Sequence, residues 1–330
     1  MMPVEALVAV TYRCNSRCVM CNIWQEKPGV EVPASFYERL PSTLRNINLT
    51  GGEPFLRKDL PEIVEVIKKR CHDPRMVINS NGFMPELIEK AAKKIISISG
   101  KTGIRVSLDG IGEAHDKTRG VPGAFDRSVR TLKLLKGAGV KDLGIAFTAV
   151  GGNVSEMEKV YALSKELGVE FTVAVAHSSE VYFKADNTGN KIDPGALREQ
   201  FGRLVKSELR GLHPKRWYRA YFEWGLYNYA LGKGRLIDCK ALGDFFYLDP
   251  KGDIYPCNVL NRPLGNLVEQ DFDTLWNSPE ALATRRVVSS CPYNCWMVCT
   301  VAPEMRKNPL KPLGWILPNK IKAHFGGGVI

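Results

Sequence analysis

The sequence predicts an α/β fold: a partial (β/α)6 barrel of the TIM type, followed by a small C-terminal α+β unit. Three observations carry that prediction. Short β-rich runs recur along the first 180 residues. Amphipathic helix patterns separate them, joined by short loops. Each run ends in a polar or glycine-rich cluster: RCNSRC, TGGEP, NSNG, SLDG, AVGGN and AHSSE. Clusters at every strand end, rather than at one switch point, favour a barrel-like site over a doubly wound sheet.

In chain order, strands are expected at 4–12, 46–50, 75–80, 103–108, 142–149 and 170–176. Helices are expected at 59–71, 85–95, 124–137 and 155–167. The first helix places Leu60, Ile63, Val64, Ile67 and Cys71 on one stripe, which assigns Cys71 to the core. Asp59 with Glu62, and Ser155 with Glu158, are spaced as N-terminal caps; Gly168 is a C-terminal one. Repeated strand–helix units with short connections imply parallel strands and right-handed crossovers.

The chain has 330 residues, 44% hydrophobic and 25% charged, which excludes disordered, collagen-like and low-complexity classes. No run approaches the roughly 18 apolar residues that span a bilayer. No basic segment precedes the short apolar stretch of MMPVEALVAV, so no signal peptide is expected. That implies a cytoplasmic protein whose nine cysteines are ligands or thiols rather than disulfides. The net charge of +11 is uneven: +6 falls in residues 196–240 and +4 in 301–330. This basicity is local, and no nucleic-acid partner is expected. The expected domains are 1–195 (barrel), 196–235 (an aromatic and basic helical bridge) and 236–330 (a cysteine-rich unit and basic tail).

The loop after the first strand reads CNSRCVMC, a CxxxCxxC spacing of Cys14, Cys18 and Cys21. Three thiolates in eight residues wrap one face of a metal centre. On a four-iron cubane they leave one iron open to another ligand. Zinc also takes thiolates, but a structural zinc site asks for four ligands. This spacing, followed by Gly51-Gly52-Glu53-Pro54, Ser80-Asn81-Gly82, Ser107-Leu108-Asp109-Gly110, His115-Asp116 and Arg119-Gly120, resembles the radical S-adenosylmethionine (SAM) superfamily. The resemblance covers most of residues 10–180.

The resemblance implies a [4Fe–4S] cluster on the three cysteines, its open iron chelating the methionine end of SAM. Glu53 would accept a hydrogen bond from the SAM ammonium. Gly51 and Gly52 would let the backbone approach the ligand, with Pro54 completing the motif. Ser80 and Ser107 match family positions that contact the carboxylate or ribose, and Asn81 joins the same cofactor-binding set. Asp109 shapes its strand end and is a candidate ribose contact. Arg119 is a permanent cation beside SAM, the alternative being a surface ion pair with Asp116 or Glu113. Met20 would pack on adenine where relatives often carry an aromatic ring; a part for His177 there stays open. The implied chemistry is reductive cleavage of SAM to methionine and a 5′-deoxyadenosyl radical, which takes a hydrogen atom from an unactivated C–H bond.

A second set follows. Cys239, Gly252 and Cys257 fit C-x12-G-x4-C, and the Asp249-Pro250-Lys251-Gly252 turn between them implies a hairpin. CPYNCWMVC places Cys291, Cys295 and Cys299 four apart, where a helix would give them one face, although Pro292 disturbs its start. The region resembles the SPASM auxiliary-cluster domain or its shorter twitch relative. A full SPASM domain has seven cysteines for two clusters; five suit one auxiliary [4Fe–4S] cluster with one cysteine over. The implied ligands are Cys239, Cys257 and two or three of Cys291, Cys295 and Cys299, with structural zinc as the alternative. The spare cysteine is either a buried small hydrophobe or a hydrogen-atom donor, as an epimerase would need.

Residues 217–229 hold seven aromatics beside Lys215, Arg216 and Arg219. They pack barrel against auxiliary unit, or form one wall of a cleft for a phosphorylated or nucleotide-linked substrate. The basic tail with Trp315, Ile316, Leu317 and Phe325 either packs on the barrel or touches a membrane surface. The expected activity is therefore radical SAM oxidation or epimerisation of a small carbohydrate-like substrate, phosphorylated or lipid- or nucleotide-linked. A low-potential donor of the flavodoxin or ferredoxin type would reduce it. The rival within the superfamily is maturation of a ribosomally made peptide; outside it, a zinc-stabilised binding protein.

Overall fold

The computed structural model describes residues 2–27 and 29–330. Strands β1 (Glu5–Thr11), β2 (Asn46–Gly51), β3 (Arg75–Ser80), β4 (Gly103–Ser107), β5 (Leu143–Ala149) and β6 (Glu170–Val175) lie parallel in the order β6-β5-β4-β3-β2-β1. Each agrees with its expected range to within one residue at either end. Helices α1 (Leu60–Arg70), α2 (Pro85–Ile98), α3 (Glu113–Arg119), α4 (Ala124–Gly137) and α5 (Met157–Leu167) cover one face. The sheet curves without closing, and its two faces differ in chemistry.

Side chains alternate along each strand. The outer set, including Val8, Val10, Leu49, Ile78, Val106 and Ile145, is buried against the helices. Each such aliphatic side chain stabilises the fold by roughly 1.5–3 kcal/mol. The inner set is small or polar: Asn48, Asn79, Ala146, Thr148, Thr172 and Ala174 line a lumen instead of filling it.

Two expected caps are not made. The Asp59 carboxylate is taken by Arg57, whose Nε donates to Oδ1 at 2.8 Å, so it leaves the α1 N-terminus alone. Ser155 lies inside a 3₁₀ turn, and α5 starts at Met157; Gln200 Oε1 accepts from the Glu158 N–H at 3.1 Å instead. Gly168 does close α5, at φ +64°. Cys71 is fully buried on the α1 side, as its stripe requires.

Helices α6 (Pro194–Arg210) and α7 (Pro214–Ala230) follow, then β7 (Phe245–Leu248), β8 (Asp253–Tyr255) and β9 (Gly265–Asn266). The β7–β8 hairpin turns at 249–252, with the Gly252 N–H donating to Asp249 O at 3.2 Å and Gly252 at φ +97°. β7 lies parallel to β1, Glu5 opposite Phe245 and Val8 opposite Leu248. The cysteine-rich region thus extends the barrel's own sheet. Short α8 (Phe272–Trp276) and α9 (Pro279–Ser289) lead to α10 (Val298–Lys307) and α11 (Leu310–His324). The three late cysteines do not share a helical face: α10 begins at Val298, and Asn294 at φ +47° turns the chain before it.

Candidate functional site

The motif residues collect at the carboxyl ends of β1 to β4. The cysteine loop leaves β1 and is anchored to the end of α3: Arg17 N donates to Arg119 O at 2.9 Å and Val19 N to Thr118 O at 3.0 Å. Gly120 permits this, since a Cβ there would lie 2.4 Å from Arg17 O. Ser16 Oγ lies 3.0 Å from Cys18 Sγ, and Arg119 Nη1 donates to the same sulfur at 3.5 Å. Burial pushes the Cys14 thiol up to about 12 and the Cys21 thiol to about 11. A thiolate at either position needs a positive centre beside it.

Glu53 is fully buried and binds three donors: the Phe55 N–H at 3.1 Å and Ser80 Oγ at 3.0 Å on Oε1, the Asn81 N–H at 2.6 Å on Oε2. Burial lifts its carboxyl to about 7 despite those bonds. It fastens the end of β2 to the end of β3, and a carboxylate's four lone-pair sites leave one for a ligand. Asn81 Nδ2 reaches Asn15 Oδ1 in the cysteine loop at 2.6 Å. Pro54 is buried and opens a 3₁₀ turn. The glycines serve the protein before any ligand. A Cβ on Gly51 would lie 2.1 Å from Thr11 O, and one on Gly52 2.2 Å from Arg13 O. The close approach is to the end of β1.

Asp109 is buried, its Oδ1 accepting from the Thr148 N–H at 2.7 Å and its Oδ2 2.6 Å from Arg119 Nε. Arg119 therefore makes no surface pair with Asp116 or Glu113. Asp116 accepts from the Gly123 and Phe125 N–H groups, while Glu113 pairs with Lys117. Against the cost of burial, Asp109 and then Cys18 hold the Arg119 guanidinium charged. Ser107 stands half-buried at the end of β4, and Met20 is buried, its carbonyl accepting from Asn187 Nδ2 at 3.0 Å.

His177 has no free nitrogen for a ligand. Nδ1 is 2.6 Å from Val175 O, Nε2 accepts from the Trp296 N–H at 3.1 Å, and the ring stacks on Tyr229 at 4.1 Å. Sequence reasoning missed Tyr182, whose hydroxyl meets Thr50 Oγ1 at 2.5 Å and Gly51 O at 3.4 Å beside the cysteine loop. A lone tyrosine in an irregular segment gives no pattern to find.

In the second set, Cys239, Cys257, Cys291 and Cys295 line one small cavity. Cys299 is buried at the start of α10 and faces Asn258 Oδ1 at 3.9 Å. Burial pushes the Cys257 and Cys295 thiols up to about 12 each. Arg235 Nη1 sits 3.8 Å from Cys295 Sγ, a further cation beside sulfur that the sequence did not single out. Among the described residues, no three His, Cys, Asp or Glu are placed to hold a single metal ion. A cubane, with a different iron on each thiolate, asks for wider spacing. Soft thiolate donors, each set with an arginine beside one sulfur, fit iron–sulfur clusters at both places.

Below the first site, the lumen is a cavity of 680 Å³ closed by α7 and α10. Arg75 and Arg105 share Asp142, while Lys215 and Arg219 share Glu170. Against burial, Arg219 and Lys215 hold the Glu170 carboxyl below its usual range. Arg216, expected beside them, turns away to Glu208. Glu223 also lines the lumen, fully buried, and neither of its oxygens has a hydrogen-bond partner among the described residues. Burial and then Glu208 hold its carboxyl well above the usual range.

Residues 8–166 match the model of the radical SAM superfamily, and residues 239–300 match the SPASM iron–sulfur cluster-binding domain. The Fe-coproporphyrin III synthase of Methanosarcina barkeri is 34% identical over 164 residues, 48% of this chain but 40% of that protein. The AdoMet-dependent heme synthase of the same archaeon is 26% identical over 309 residues, 84% of this chain and 83% of that one. The mycofactocin maturase MftC of Mycolicibacterium smegmatis is 29% identical over 293 residues, 84% of this chain and 71% of the maturase. Streptococcus suis SuiB bound to S-adenosylmethionine superimposes with a TM-score of 0.65 at 18% identity, covering 86% of this chain and 68% of that one, a likeness of fold. The chain belongs to the radical SAM superfamily and carries a C-terminal SPASM-type domain, with a SAM-bound [4Fe–4S] cluster, SAM and an auxiliary cluster as its cofactors.

Proposed function

We propose that this chain is a radical SAM enzyme that takes a hydrogen atom from an acidic substrate held in the barrel lumen. Cys14, Cys18 and Cys21 hold the SAM-binding cluster, with Gly51, Gly52, Glu53, Pro54, Ser80, Asn81, Ser107, Asp109, Arg119 and Met20 around SAM. Cys239, Cys257, Cys291 and Cys295 hold the auxiliary cluster, and Cys299 is the surplus thiol. When bound, cluster and SAM supply a 5′-deoxyadenosyl radical able to attack an unactivated C–H bond. The chain's own work is aim and exclusion of water. Glu53 locks the ends of β2 and β3 together under the cysteine loop. Asp109 fixes Arg119, which places positive charge on Cys18.

The observation that carries the substrate reading is the lumen's charge. Five cations, Arg75, Arg105, Lys215, Arg219 and Arg306, line the cavity against the carboxylates of Asp142, Glu170 and Glu5, with Glu208 shared between Arg216 and Arg219. Surplus positive charge in a low-dielectric cavity attracts carboxylate or phosphate. Burial, and then Glu208, favours the neutral form of Glu223, which offers a ligand an O–H rather than a second charge. Arg75 and Ser80 bracket β3, so the cationic end and the SAM end stand on the order of 17 Å apart. The substrate is correspondingly long. Relatives named as heme synthases and as peptide maturases support a carboxylate-bearing tetrapyrrole or an acidic peptide. The carbohydrate-like substrate expected from the sequence draws support from neither, although a phosphorylated one has the right charge. A flavodoxin- or ferredoxin-type protein delivers electrons, and nine unpaired cysteines suit a reducing cytoplasm.

Anaerobic incubation with dithionite and SAM yields 5′-deoxyadenosine, measured by chromatography, and Cys14→Ala abolishes it. Among a propionate-bearing tetrapyrrole, an acidic peptide and a phosphorylated sugar, the substrate raises that yield. Arg219→Gln raises its KM roughly tenfold, the loss of one charge-assisted contact. No 5′-deoxyadenosine with any of them sinks the assignment; a substrate insensitive to Arg219→Gln sinks the lumen reading.

A further inference from the structure

Helix α11 carries two apolar faces, and the fold uses only one. Pro312, Ile316 and Ala323 are buried, and Trp315 stacks on Trp224 of α7 at 4.7 Å between centroids. Lys320 Nζ donates to Leu209 O at 2.7 Å and Gly211 O at 3.1 Å, and Arg210 Nε to Ala323 O at 2.9 Å. The helix is thus pinned to α6 and to the loop after it. On the far side, Leu310 (80% exposed), Leu317 (57%), Ile321 (62%) and Phe325 (87%) stand in water. Their spacing of seven, four and four residues keeps them within roughly 80° of arc at 100° per residue. Leu212, 92% exposed, extends the ridge from the neighbouring loop.

Exposed Lys311 and Lys322 run along one flank of that ridge. No acidic residue follows Glu304, while Arg306, Lys307, Lys311, Lys320 and Lys322 do. Single exposed leucines are ordinary; an apolar ridge edged by lysines without one carboxylate is the pattern of an interfacial helix. At 15 residues, about 22 Å, α11 is too short to cross a bilayer core of about 30 Å. A second copy of the chain is a poor cover in an antiparallel two-fold contact, which sets each lysine row near its like.

We propose that this ridge docks the enzyme flat on an anionic lipid surface, Leu310, Leu317, Ile321, Phe325 and Leu212 entering the acyl boundary. Pro309, the residue before the ridge, lines the lumen. The docking stands whether or not the substrate reading holds.

The test is co-sedimentation of the full chain with vesicles of phosphatidylcholine alone or mixed with phosphatidylglycerol. Binding to the mixed vesicles is expected to exceed that to the neutral ones by roughly tenfold or more, and to weaken with salt. Leu317→Glu with Ile321→Glu removes it, while far-UV circular dichroism and iron content stay as in the parent. Lys311→Gln with Lys322→Gln, at exposed positions, weakens it should the first pair fail to fold. Equal binding to both vesicle types, or unaltered binding by the variants, overturns the proposal. So does a concentration-dependent dimer, seen by light scattering, that the Glu pair dissolves.

Discussion

Arg119 shows how one side chain joins three duties. Its carbonyl receives the cysteine loop, its Nε meets Asp109, and its Nη1 reaches Cys18. A cation beside a cluster sulfur stabilises the reduced, more negative state. Arg119→Gln keeps a donor but removes the charge. It is expected to lower the midpoint potential of the cluster on Cys14, Cys18 and Cys21 by roughly 60 mV, one tenfold step for a one-electron couple. Redox titration followed by electron paramagnetic resonance checks this, with iron content as control; an unchanged potential removes Arg119 from the electronic role. The type of each motif residue was legible from spacing. Its partner often was not: Glu113 and Asp116 are near Arg119 in sequence, yet Asp109, ten positions away, captures it, because β4 and α3 meet only in the fold.

At the scale of elements, the six strands were legible because each β-rich run ends in a polar or glycine-rich cluster. The short α3, with two buried residues, offered too little periodicity. Cap prediction failed at Asp59 because Arg57 competes for the carboxylate more strongly than a backbone N–H does. The late cysteines failed as a helix because Asn294 takes a left-handed turn. Glu223 escaped notice since its partner-free burial depends on α6 and α10, far apart in sequence.

Two imidazoles clamp elements together. His177 joins the end of β6 to Trp296, and His115 Nδ1 accepts from the Asp109 N–H at 2.9 Å. Burial pushes His177 down to about 4 and His115, with Arg119 adding to the effect, to about 3. Unfolded histidine titrates near 6.5, so both hold their full stabilising contribution above that pH and lose it as pH falls toward the folded values. Each is expected to cost roughly 1.4 kcal/mol of stability per pH unit between about 6 and 4. Urea unfolding of the wild type and of His177→Gln at pH 7, 6 and 5 checks it: the variant shows the shallower decline. Parallel declines would mean that His177 protonates without opening the clamp.

Over the whole molecule, one nine-stranded sheet runs from β6 through β1 and β7 to β9. Of the excess charge that the sequence placed in the bridge and tail, Lys215 and Arg219 stand in the lumen, Lys311 and Lys322 edge the α11 ridge, and Arg203, Lys206, Arg210 and Arg216 gather in a separate surface cavity. β7 covers the side of β1 that β2 leaves open, and Tyr247 packs there with Ala9 and Val181. A fragment ending at residue 235 lacks that strand and the Trp296 clamp. It is expected to aggregate, most of it lost from the soluble fraction on size-exclusion chromatography, through the bared edge of β1. A monomeric, soluble fragment would contradict the view that the sheet is one cooperative unit.

The pairing of β1 with β7 also has a consequence in time. β1 leaves the ribosome at residue 11 and its partner begins at residue 245. At roughly 5–20 residues per second, that strand waits on the order of ten to fifty seconds for its neighbour. During synthesis its open side is a vacancy that any passing extended chain can fill. The nascent barrel is therefore a client for a holding chaperone until the hairpin arrives, and slow codons between the two strands would lengthen the hazard.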